Sequence, residues 1–521
     1  MRWTFTLAAT LLASSWLFAD KPNIVVILCD DLGTGDVTAF NAKSKIATPH
    51  MDKLAAQGMM FTDAHSGSGV CSPTRYGLMT GRYAWRSPLQ KGVLGGLSPR
   101  LIEPNRETIA SFLKSQGYRT SCVGKWHIGF DWALKPGGTV NKLNIESREQ
   151  VFNVRYDQPF TNGPTAVGFD YYFGISASLD MVPYTFLEND RVTKLPTEDR
   201  DWPMMVNGKG GRCRKGPCAP DFDIHDVLPS LRDKACEIIT TGAKAKTPFF
   251  LYLPFTAPHT PIAPKESFVG KSGINPYADF VMATDDAVGK VLKAIDDAGI
   301  ADNTLVIFTS DNGCSPQADF PTLLAKDHNP NHIYRGHKAD VYEGGHRVPF
   351  IVRWPGRVKP GTSTAAITCL GDIYRTCADV LGQKLPDTCA EDSYSFLPVL
   401  LGVTTGRTHL VNHSINGSFA IRDGDWKLCF CPGSGGWSKP RPGQDDTSTL
   451  PPLQLFNLKD DIGETKNLIA EQPERVKAMT AVLEKIVAEG RSTPGAMQKN
   501  TVEVNFRAAG EAAMKPVGKK K

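Results

Sequence analysis

The sequence predicts an α/β protein: a large, mainly parallel or mixed sheet sandwiched by helices, followed by a smaller C-terminal α+β domain. Apolar, β-branched runs alternate with helical patterns through residue 382, and the pattern then changes to loops and turn-linked strands. A chain of 521 residues is also longer than one hydrophobic core normally organises, which favours two domains.

The first elements follow a strand–helix alternation. Residues 23–29, NIVVILC, form the continuous apolar run of a buried parallel strand. Pro49 suits the first position of a helix that ends at Gly58, and MMFTDAH over 59–65 reads as a strand. A helix is predicted over 106–116, and a strand over 118–123 follows it.

The same alternation continues through the middle of the chain. Strands are predicted at 248–255, 304–310 and 347–354, with the helix Tyr277–Ala298 between the first two and a helix at 371–382 after the third. Strands separated by helices of this length are typical of crossover units, which predicts a mainly parallel sheet.

The C-terminal part has a different pattern. Residues 418–430 read as two strands around an Asp-Gly turn at Asp423 and Gly424. The segment LQLFNL and a helix over about 473–489 complete this part. We therefore divide the chain into a large domain over 20–402 and a smaller domain over 403–521, which ends in a basic tail.

The N-terminus predicts export. Residues 1–19 combine Arg2 with an apolar run that is too short to span a membrane, and Ala19 suits a cleavage point. This pattern is typical of a signal peptide and predicts a secreted or periplasmic protein with no stable membrane insertion.

Composition narrows the partners. The net charge of +5 is mild for this length, and no interleaving of aromatic and basic residues predicts nucleic-acid binding. Among the 12 cysteines, Cys213 and Cys218 flank a short loop and are candidates for a disulfide. Cys429 and Cys431 lie two apart on a predicted strand and cannot easily bridge each other. The absence of a C-x-x-C pair gives no support to a zinc or thioredoxin-type site.

Polar residues follow several predicted strands. Asp30 and Asp31 end the first strand, and Asp311 and Asn312 end the strand at 304–310. Taken singly, such pairs are more often turns or helix caps. Together, at the carboxyl ends of parallel strands, they provide the oxygen ligands that suit Ca²⁺ or Mg²⁺ rather than zinc.

Two longer motifs carry a resemblance to a known family. Residues 71–81 read CSPTRYGLMTG, and residues 117–127 read GYRTSCVGKWH. They resemble the two signatures of the type I sulfatase family, within the alkaline-phosphatase superfamily. The resemblance extends over about residues 22–470 and includes EGGHRVP at 343–349. It implies that the large domain hydrolyses sulfate esters.

The resemblance also implies a modified residue at Cys71. In the family, a maturation enzyme oxidises this cysteine to formylglycine before folding, and the aldehyde hydrates to a geminal diol. A neutral thiol is a poor ligand for a hard cation, whereas a diol oxygen can bind the cation and be activated. A helix that begins near Ser72 would direct its positive end at the sulfate.

Residue roles transfer position by position as what the resemblance implies. Asp30, Asp31, Asp311, Asn312 and the modified Cys71 bind the cation, Ca²⁺ or alternatively Mg²⁺. Arg75 and Lys125 stabilise the diol and the developing charge. His127 is the base that releases sulfate, and His259 and Lys338 contact the sulfate and protonate the leaving alcohol. Lys338 has a competing interpretation as a salt-bridged surface lysine.

The sequence does not identify the substrate, and it leaves alternatives to the sulfatase function. Export favours a sulfated carbohydrate, such as a polysaccharide or glycosaminoglycan, as substrate, and the resemblance also implies an aryl sulfate as an alternative substrate. His346, Trp85, Arg86 and Asp180 are candidate pocket residues, and Trp85 fits a core position equally well. The alternatives are a phosphonate or phosphodiester hydrolase of the same superfamily and a non-catalytic binder of sulfated glycans. A papain-like cysteine hydrolase is disfavoured, because Cys71 lies amid predicted metal ligands.

Overall fold

The computed structural model of the protein describes residues 21–403 and 406–515. Within these ranges the chain is an α/β protein with a large mixed sheet and a separate, smaller antiparallel sheet, as the sequence predicts. The predicted signal peptide at 1–19 and the tip of the basic tail at 516–521 lie outside the described residues. The domain boundary at 402 stays a prediction.

The strands that the structure describes are numbered in chain order. The first nine are β1 Asn23–Asp30, β2 Met59–Phe61, β3 Ala64–His65, β4 Arg119–Lys125, β5 Tyr171–Ile175, β6 Leu187–Glu188, β7 Arg191–Val192, β8 Glu198–Arg200 and β9 Gly216–Cys218. The others are β10 Phe249–Pro258, β11 Thr304–Ser310, β12 Phe350–Arg353, β13 Thr362–Thr364, β14 Thr368–Cys369, β15 His409–His413, β16 Phe419–Asp423, β17 Trp426–Cys429 and β18 Gln454–Asn457.

The α-helices of the described residues are numbered in the same way. They are α1 Pro49–Gln57, α2 Cys71–Thr80, α3 Ile109–Ser115, α4 Ile224–Ala245, α5 Pro276–Asp297, α6 Phe320–Leu324, α7 Glu343–His346, α8 Asp372–Val380, α9 Leu397–Leu400, α10 Pro473–Ala488 and α11 Ala508–Ala513. None of these helices combines the length and the apolar character that crossing a membrane requires.

The centre of the large sheet positions the site. Across the described part of the chain, ten strands pair in the order β13-β2-β12-β11-β1-β10-β4-β5-β6-β7. The five strands from β11 to β5 run parallel, and β12 is antiparallel to β11. Every residue of β1, β10 and β11 is buried, as continuous apolar strands require. The carboxyl ends of five strands therefore meet at one edge of the sheet.

The predicted elements agree with this topology, although several elements differ from the prediction or have no predicted counterpart. The strand predicted at 59–65 is divided into β2 and β3, and the strand predicted at 347–354 is shortened to β12. Helix α4 and strand β5 were not predicted. Pro229 lies inside α4 and Gly174 lies inside β5, and both residues normally argue against a regular element. Tertiary packing overrides these local signals.

The small sheet pairs in the order β15-β16-β17-β18, with the predicted Asp-Gly turn between β16 and β17. Gly424 has φ 55°, a left-handed conformation that glycine adopts without strain. One face of the sheet packs on α10, where Met479 and Leu483 are buried. These contacts give the C-terminal part a core of its own.

Two predicted pocket residues lie in the junction between the sheets instead. Trp85 is fully buried and its ring packs 5.4 Å from that of Tyr83 and 5.3 Å from that of Phe419. The Arg86 guanidinium donates from Nε to Asp392 Oδ2 at 2.8 Å and is also buried. The pocket interpretation of Trp85 and Arg86 is wrong, because both side chains are enclosed by this junction.

The predicted bridge between Cys213 and Cys218 is not formed. All twelve cysteines fall within the described residues, and each is a free thiol. Cys213 Sγ contacts Met204 Sδ at 3.6 Å, and Cys218 Sγ donates to the Ala219 carbonyl at 3.3 Å. Cys431 lies beyond the end of β17 and is not on one strand with Cys429.

We expect Trp85→Ala to destabilise the fold by about 3–5 kcal/mol, because it leaves a cavity between the two sheets. Phe152→Ala is the matched control, since Phe152 is 44% exposed and its removal should cost less than about 1 kcal/mol. Thermal unfolding followed by circular dichroism measures both. Equal midpoints for the two variants, with a selective loss of substrate affinity in Trp85→Ala, would restore the pocket interpretation.

Candidate active site

Buried polar side chains collect at the carboxyl edge of the parallel strands. Asp30 is the last residue of β1, and Asp311 follows β11 directly. His259 follows β10, Lys125 ends β4, and His127 lies two residues further on. The parallel topology therefore brings together residues that are far apart in sequence. These five side chains are among the buried polar residues of the protein.

Arg75 joins two of the carboxylates. Its Nε and Nη2 atoms donate to Asp311 Oδ2 at 3.1 and 2.8 Å, and Nη2 also lies 3.3 Å from Asp30 Oδ2. Lys125 Nζ donates to the same Asp30 oxygen at 2.5 Å. Arg75 is fully buried on α2, so this helix is fixed to the ends of β1 and β11.

Asp31 is the second centre of the cluster. It has φ 63°, and its Oδ1 accepts from Asn312 Nδ2 at 2.7 Å. Lys338 Nζ donates to Asp31 Oδ2 at 2.8 Å, and His259 Nε2 lies 3.6 Å from the same oxygen. Burial opposes the charge of Lys338, but the Asp31 carboxylate and the other acidic neighbours, Asp30 among them, together outweigh burial and raise the pKa of the ammonium. The surface interpretation of Lys338 is wrong, since only 5% of the residue is exposed.

Two oxygens of this cluster have no hydrogen-bond partner among the described residues. They are Asp30 Oδ1 and Asn312 Oδ1, and both are buried. Buried polar oxygens almost always have a partner, so these two fit a group that binds oxygen. Asp30, Asp31 and His259 also place one ligand atom each within 4.8 Å of one another. An oxygen-rich donor set of this kind fits Ca²⁺ or Mg²⁺.

The pKa values of Asp30 and Asp311 also fit a cation bound between these carboxylates. Burial raises the pKa of Asp311 to about 6, and the neighbouring Asp30 carboxylate adds to the shift. For Asp30, burial acts in the same direction, but Lys125, Arg75 and the other cationic neighbours together outweigh it and lower the pKa of this carboxyl below its usual range. Close carboxylates resist ionising together, and a divalent cation between them would remove this conflict.

Cys71 is the first residue of α2 and is buried. Burial raises the pKa of the Cys71 thiol, so an unmodified thiol stays neutral at pH 7. Thr74 Oγ1 donates to the carbonyls of Ser68 and Val70 at 3.1 and 3.0 Å, which fixes the turn that leads into the helix. A neutral thiol is both a weak nucleophile and a weak ligand for a hard cation.

His127 has one partnered and one unpartnered ring nitrogen. Its Nε2 lies 2.8 Å from the Leu94 carbonyl, which assigns the ring proton to Nε2. Its Nδ1 is buried without a partner among the described residues. Burial and Lys125 lower the pKa of His127 well below 6.5, so the imidazole is neutral at pH 7. The Nδ1 atom is therefore an available proton acceptor.

His259 is held from the other side. Its Nδ1 lies 2.6 Å from the Thr260 carbonyl, which assigns a proton to this nitrogen and leaves Nε2 directed at Asp31.

His346, which the sequence offered as a pocket residue, does not lie in this cluster. Its Nδ1 contacts His65 Nδ1 at 3.0 Å and its Nε2 contacts Lys427 Nζ at 3.1 Å, in a buried charged network at the small sheet.

The loop after β5 is the part of this edge that sequence reasoning missed, apart from Asp180. Ser178 is buried, and its Oγ has no partner among the described residues. The backbone N–H of His127 donates to the Ser176 carbonyl at 2.9 Å, which places this loop beside the site. Prediction of β5 would have revealed the loop, since it follows the carboxyl end of another parallel strand.

Comparison with known proteins decides the family. The family model described as Sulfatase matches residues 22–383. The chain belongs to the sulfatase family. It is 35% identical to an N-acetylgalactosamine-6-O-sulfatase of Bacteroides thetaiotaomicron, over 90% of this chain and 93% of that protein. It is 31% identical to arylsulfatase A of Bos taurus, over 90% of this chain and 86% of that protein. This sulfatase is accordingly a sulfuric ester hydrolase.

Solved structures agree with the fold. A structure described as part of the metabolism of multiple glycosaminoglycans by Bacteroides thetaiotaomicron has a TM-score of 0.77 and 33% identity, and the match covers 89% of this chain and 99% of that one. A sulfatase from a Pseudoalteromonas species shares the fold with a TM-score of 0.66 at 24% identity, over 90% of this chain and 91% of that one.

We expect the protein, extracted with a chelator, to bind one Ca²⁺ or Mg²⁺ per chain. Asn312→Leu removes one of the two unpartnered oxygens and should weaken cation binding about tenfold or more. Asn303→Leu is the control, because Asn303 is exposed and lies in a short 3-10 helix before the first residue of β11, whereas Asn312 follows its last residue. Titration calorimetry with the metal salt measures both. Wild-type cation affinity in Asn312→Leu would remove this residue from the cation site.

Proposed function

We propose that this sulfatase hydrolyses sulfate esters of sulfated glycans with a formylglycine made from Cys71 and a bound divalent cation, Ca²⁺ or alternatively Mg²⁺. The observation that carries the proposal is the position of Cys71. A buried, neutral thiol begins α2 within the CSPTR motif, and the same helix carries Arg75, which binds the carboxylates of the proposed cation site. An unmodified thiol at this position would be a weak nucleophile and a weak ligand for the cation.

Two groups of the proposed mechanism, the divalent cation and the formylglycine, are not encoded directly by the sequence. Asp30, Asp31, Asp311 and Asn312 would hold the cation, which supplies Lewis acidity toward sulfate and toward an ionised hydroxyl. The formylglycine at position 71, made by a maturation enzyme, would supply one hydroxyl as the nucleophile that becomes the sulfate ester. Its second hydroxyl would lose a proton, which re-forms the aldehyde and expels the sulfate from the first oxygen.

The other side chains bind sulfate and move protons. Arg75 and Lys125 hold the carboxylates in place and add positive charge beside position 71. His127 Nδ1 accepts the proton whose loss releases sulfate, while the Leu94 carbonyl orients the ring. His259 and Lys338 contact the sulfate and donate a proton to the leaving alcohol.

Charge balance supports an anionic substrate. Three buried carboxylates are matched by three buried cationic side chains, namely Asp30, Asp31 and Asp311 against Arg75, Lys125 and Lys338. A divalent cation in this neutral set leaves two positive charges, which attract a sulfate ester. The names of the relatives make the 6-O-sulfate of N-acetylgalactosamine the first substrate that we propose. We also retain secretion or periplasmic export as part of the proposal.

Sulfate release from N-acetylgalactosamine 6-sulfate and from a 4-nitrophenyl sulfate tests the activity, with bis(4-nitrophenyl) phosphate as the competing ester. The protein is produced together with a formylglycine-generating enzyme. We expect turnover of the sulfate esters to exceed that of the phosphodiester. A clear preference for the phosphodiester would favour the alternative hydrolase, and binding of the sulfated sugar without turnover would favour the non-catalytic binder.

Cys71→Ser should react with 4-nitrophenyl sulfate once and then stop. Serine offers a hydroxyl for attack but no second hydroxyl whose deprotonation could expel the sulfate, so a stable serine sulfate forms. Cys71→Ala should form no adduct and remain folded. Mass spectrometry of the peptide that contains residue 71 measures the adduct. Cys236→Ser on α4 is the control and should turn over like the wild type. Sustained turnover by Cys71→Ser would contradict the proposed role.

A further inference from the structure

A short glycine-containing strip, residues 94–97, connects the proposed site to a second set of acidic residues. The Leu94 N–H donates to Ser72 Oγ at 3.1 Å, next to Cys71 on α2. The Leu94 carbonyl lies 2.8 Å from His127 Nε2. The strip therefore borders the site directly on both the nucleophile side and the base side.

Two glycines allow other loops to pack closely on this strip. A Cβ on Gly95 would lie 2.0 Å from Glu146 Oε2, and a Cβ on Gly96 would lie 1.8 Å from the Val182 carbonyl oxygen. Any side chain at either position would push the two loops away from the strip. Glu146 and the loop that carries Asp180 are consequently held beside the active site.

In each of these two carboxylates, Glu146 and Asp180, one oxygen accepts a hydrogen bond from the protein and the other oxygen accepts none. Glu146 Oε2 accepts from the Leu97 N–H at 3.5 Å, and Asp180 Oδ2 accepts from Arg214 Nη1 at 2.7 Å. Glu146 Oε1 and Asp180 Oδ1 have no partner in the described part of the chain. Both residues are only 7% exposed, so each unpartnered oxygen calls for a hydrogen-bond donor.

A neighbouring ion pair shows what an ordinary surface pair looks like here. Arg212 binds Asp201 through both carboxylate oxygens, at 2.7 Å from Nε and 2.8 Å from Nη2. The Arg212 side chain is 59% exposed and that of Asp201 is 28% exposed. Asp180, in contrast, is buried and uses one oxygen. An ion pair with Arg214 accounts for Asp180 Oδ2 but does not explain why Oδ1 is buried without a partner.

We propose that Asp180, Glu146 and Arg214 form a sugar-recognition subsite in which the two carboxylates accept hydrogen bonds from hydroxyl or amide N–H groups of the sugar that carries the sulfate. This inference rests on the proposed function and adds the specificity of the same site. Two carboxylates against one guanidinium leave an excess of negative charge. The subsite therefore favours a sugar that is neutral apart from the reacting sulfate and disfavours a second anionic group.

The test compares two substrates in each variant. N-acetylgalactosamine 6-sulfate offers hydroxyl and amide donors, whereas 4-nitrophenyl sulfate offers none. We expect Asp180→Asn and Glu146→Gln to lower the ratio of kcat/KM for the sugar sulfate to that for the aryl sulfate by about tenfold or more, with a raised KM for the sugar. Asp201→Asn is the matched control and should keep the wild-type ratio.

A second readout uses charge. Glucosamine-2-N,6-O-disulfate carries an additional anionic group, and we expect Glu146→Gln to narrow the wild-type preference for the monosulfated sugar over it. Arg214→Gln should widen that preference. The Arg214 side chain is 37% exposed, so this variant remains informative if a carboxylate variant does not fold.

The outcomes separate this inference from the proposed function. Wild-type protein that turns over neither sulfate ester would overturn the proposed function. Wild-type protein that turns over both, with Asp180→Asn and Glu146→Gln reducing the two substrates equally, would overturn only the subsite. An unchanged preference against the disulfated sugar in both Glu146→Gln and Arg214→Gln would overturn the charge argument.

Discussion

The burial of three carboxylates in one cluster is the constraint on which the site depends. Carboxylates this deep in a protein need counter-charge, and three buried cationic side chains provide it. The parallel strands supply the acids at one edge, whereas helix α2 and the turn at Lys338 supply cations from outside the sheet. The helix that begins at Cys71 is therefore fixed by the same interactions that make the acidic cluster tolerable.

The small C-terminal sheet contributes to this arrangement through its backbone. The His413 carbonyl accepts from the Gly69 N–H at 3.1 Å and from Ser68 Oγ at 3.0 Å. The Ala339 N–H donates to the Gly69 carbonyl at 2.7 Å, next to Lys338. The turn before Cys71 and the turn that carries Lys338 are thus bonded to each other, and the small sheet supports the first of them. The charged network around Lys427, Glu343 and His346 adds further contacts between the two parts.

The sequence predicts the central strands and the residues at their carboxyl ends, because hydrophobic period and motif are local signals. The parallel sheet that these signals imply then places the carboxyl ends at one edge, although the strands are far apart in sequence. Asp30, Asp311 and the end of β4 meet as that logic requires. Trp85 could not be assigned in this way, since a buried aromatic fits a pocket or a junction equally well. Lys338 could not either, because its burial depends on Asp31, 307 residues earlier in the chain. Ser176 and Ser178, in the loop that also carries Asp180, were not predicted as site residues, because the strand β5 before this loop was not predicted.

The central claim is that catalysis requires a modified Cys71, and its occupancy can be measured directly. Preparations made with different amounts of the maturation enzyme should contain different fractions of formylglycine, quantified by mass spectrometry of the peptide that contains residue 71. The account predicts that the turnover rate of 4-nitrophenyl sulfate per chain rises in proportion to that fraction and extrapolates to zero. Folded protein with unmodified Cys71, confirmed by peptide mass, that turns over the ester at the rate of the converted form would contradict it.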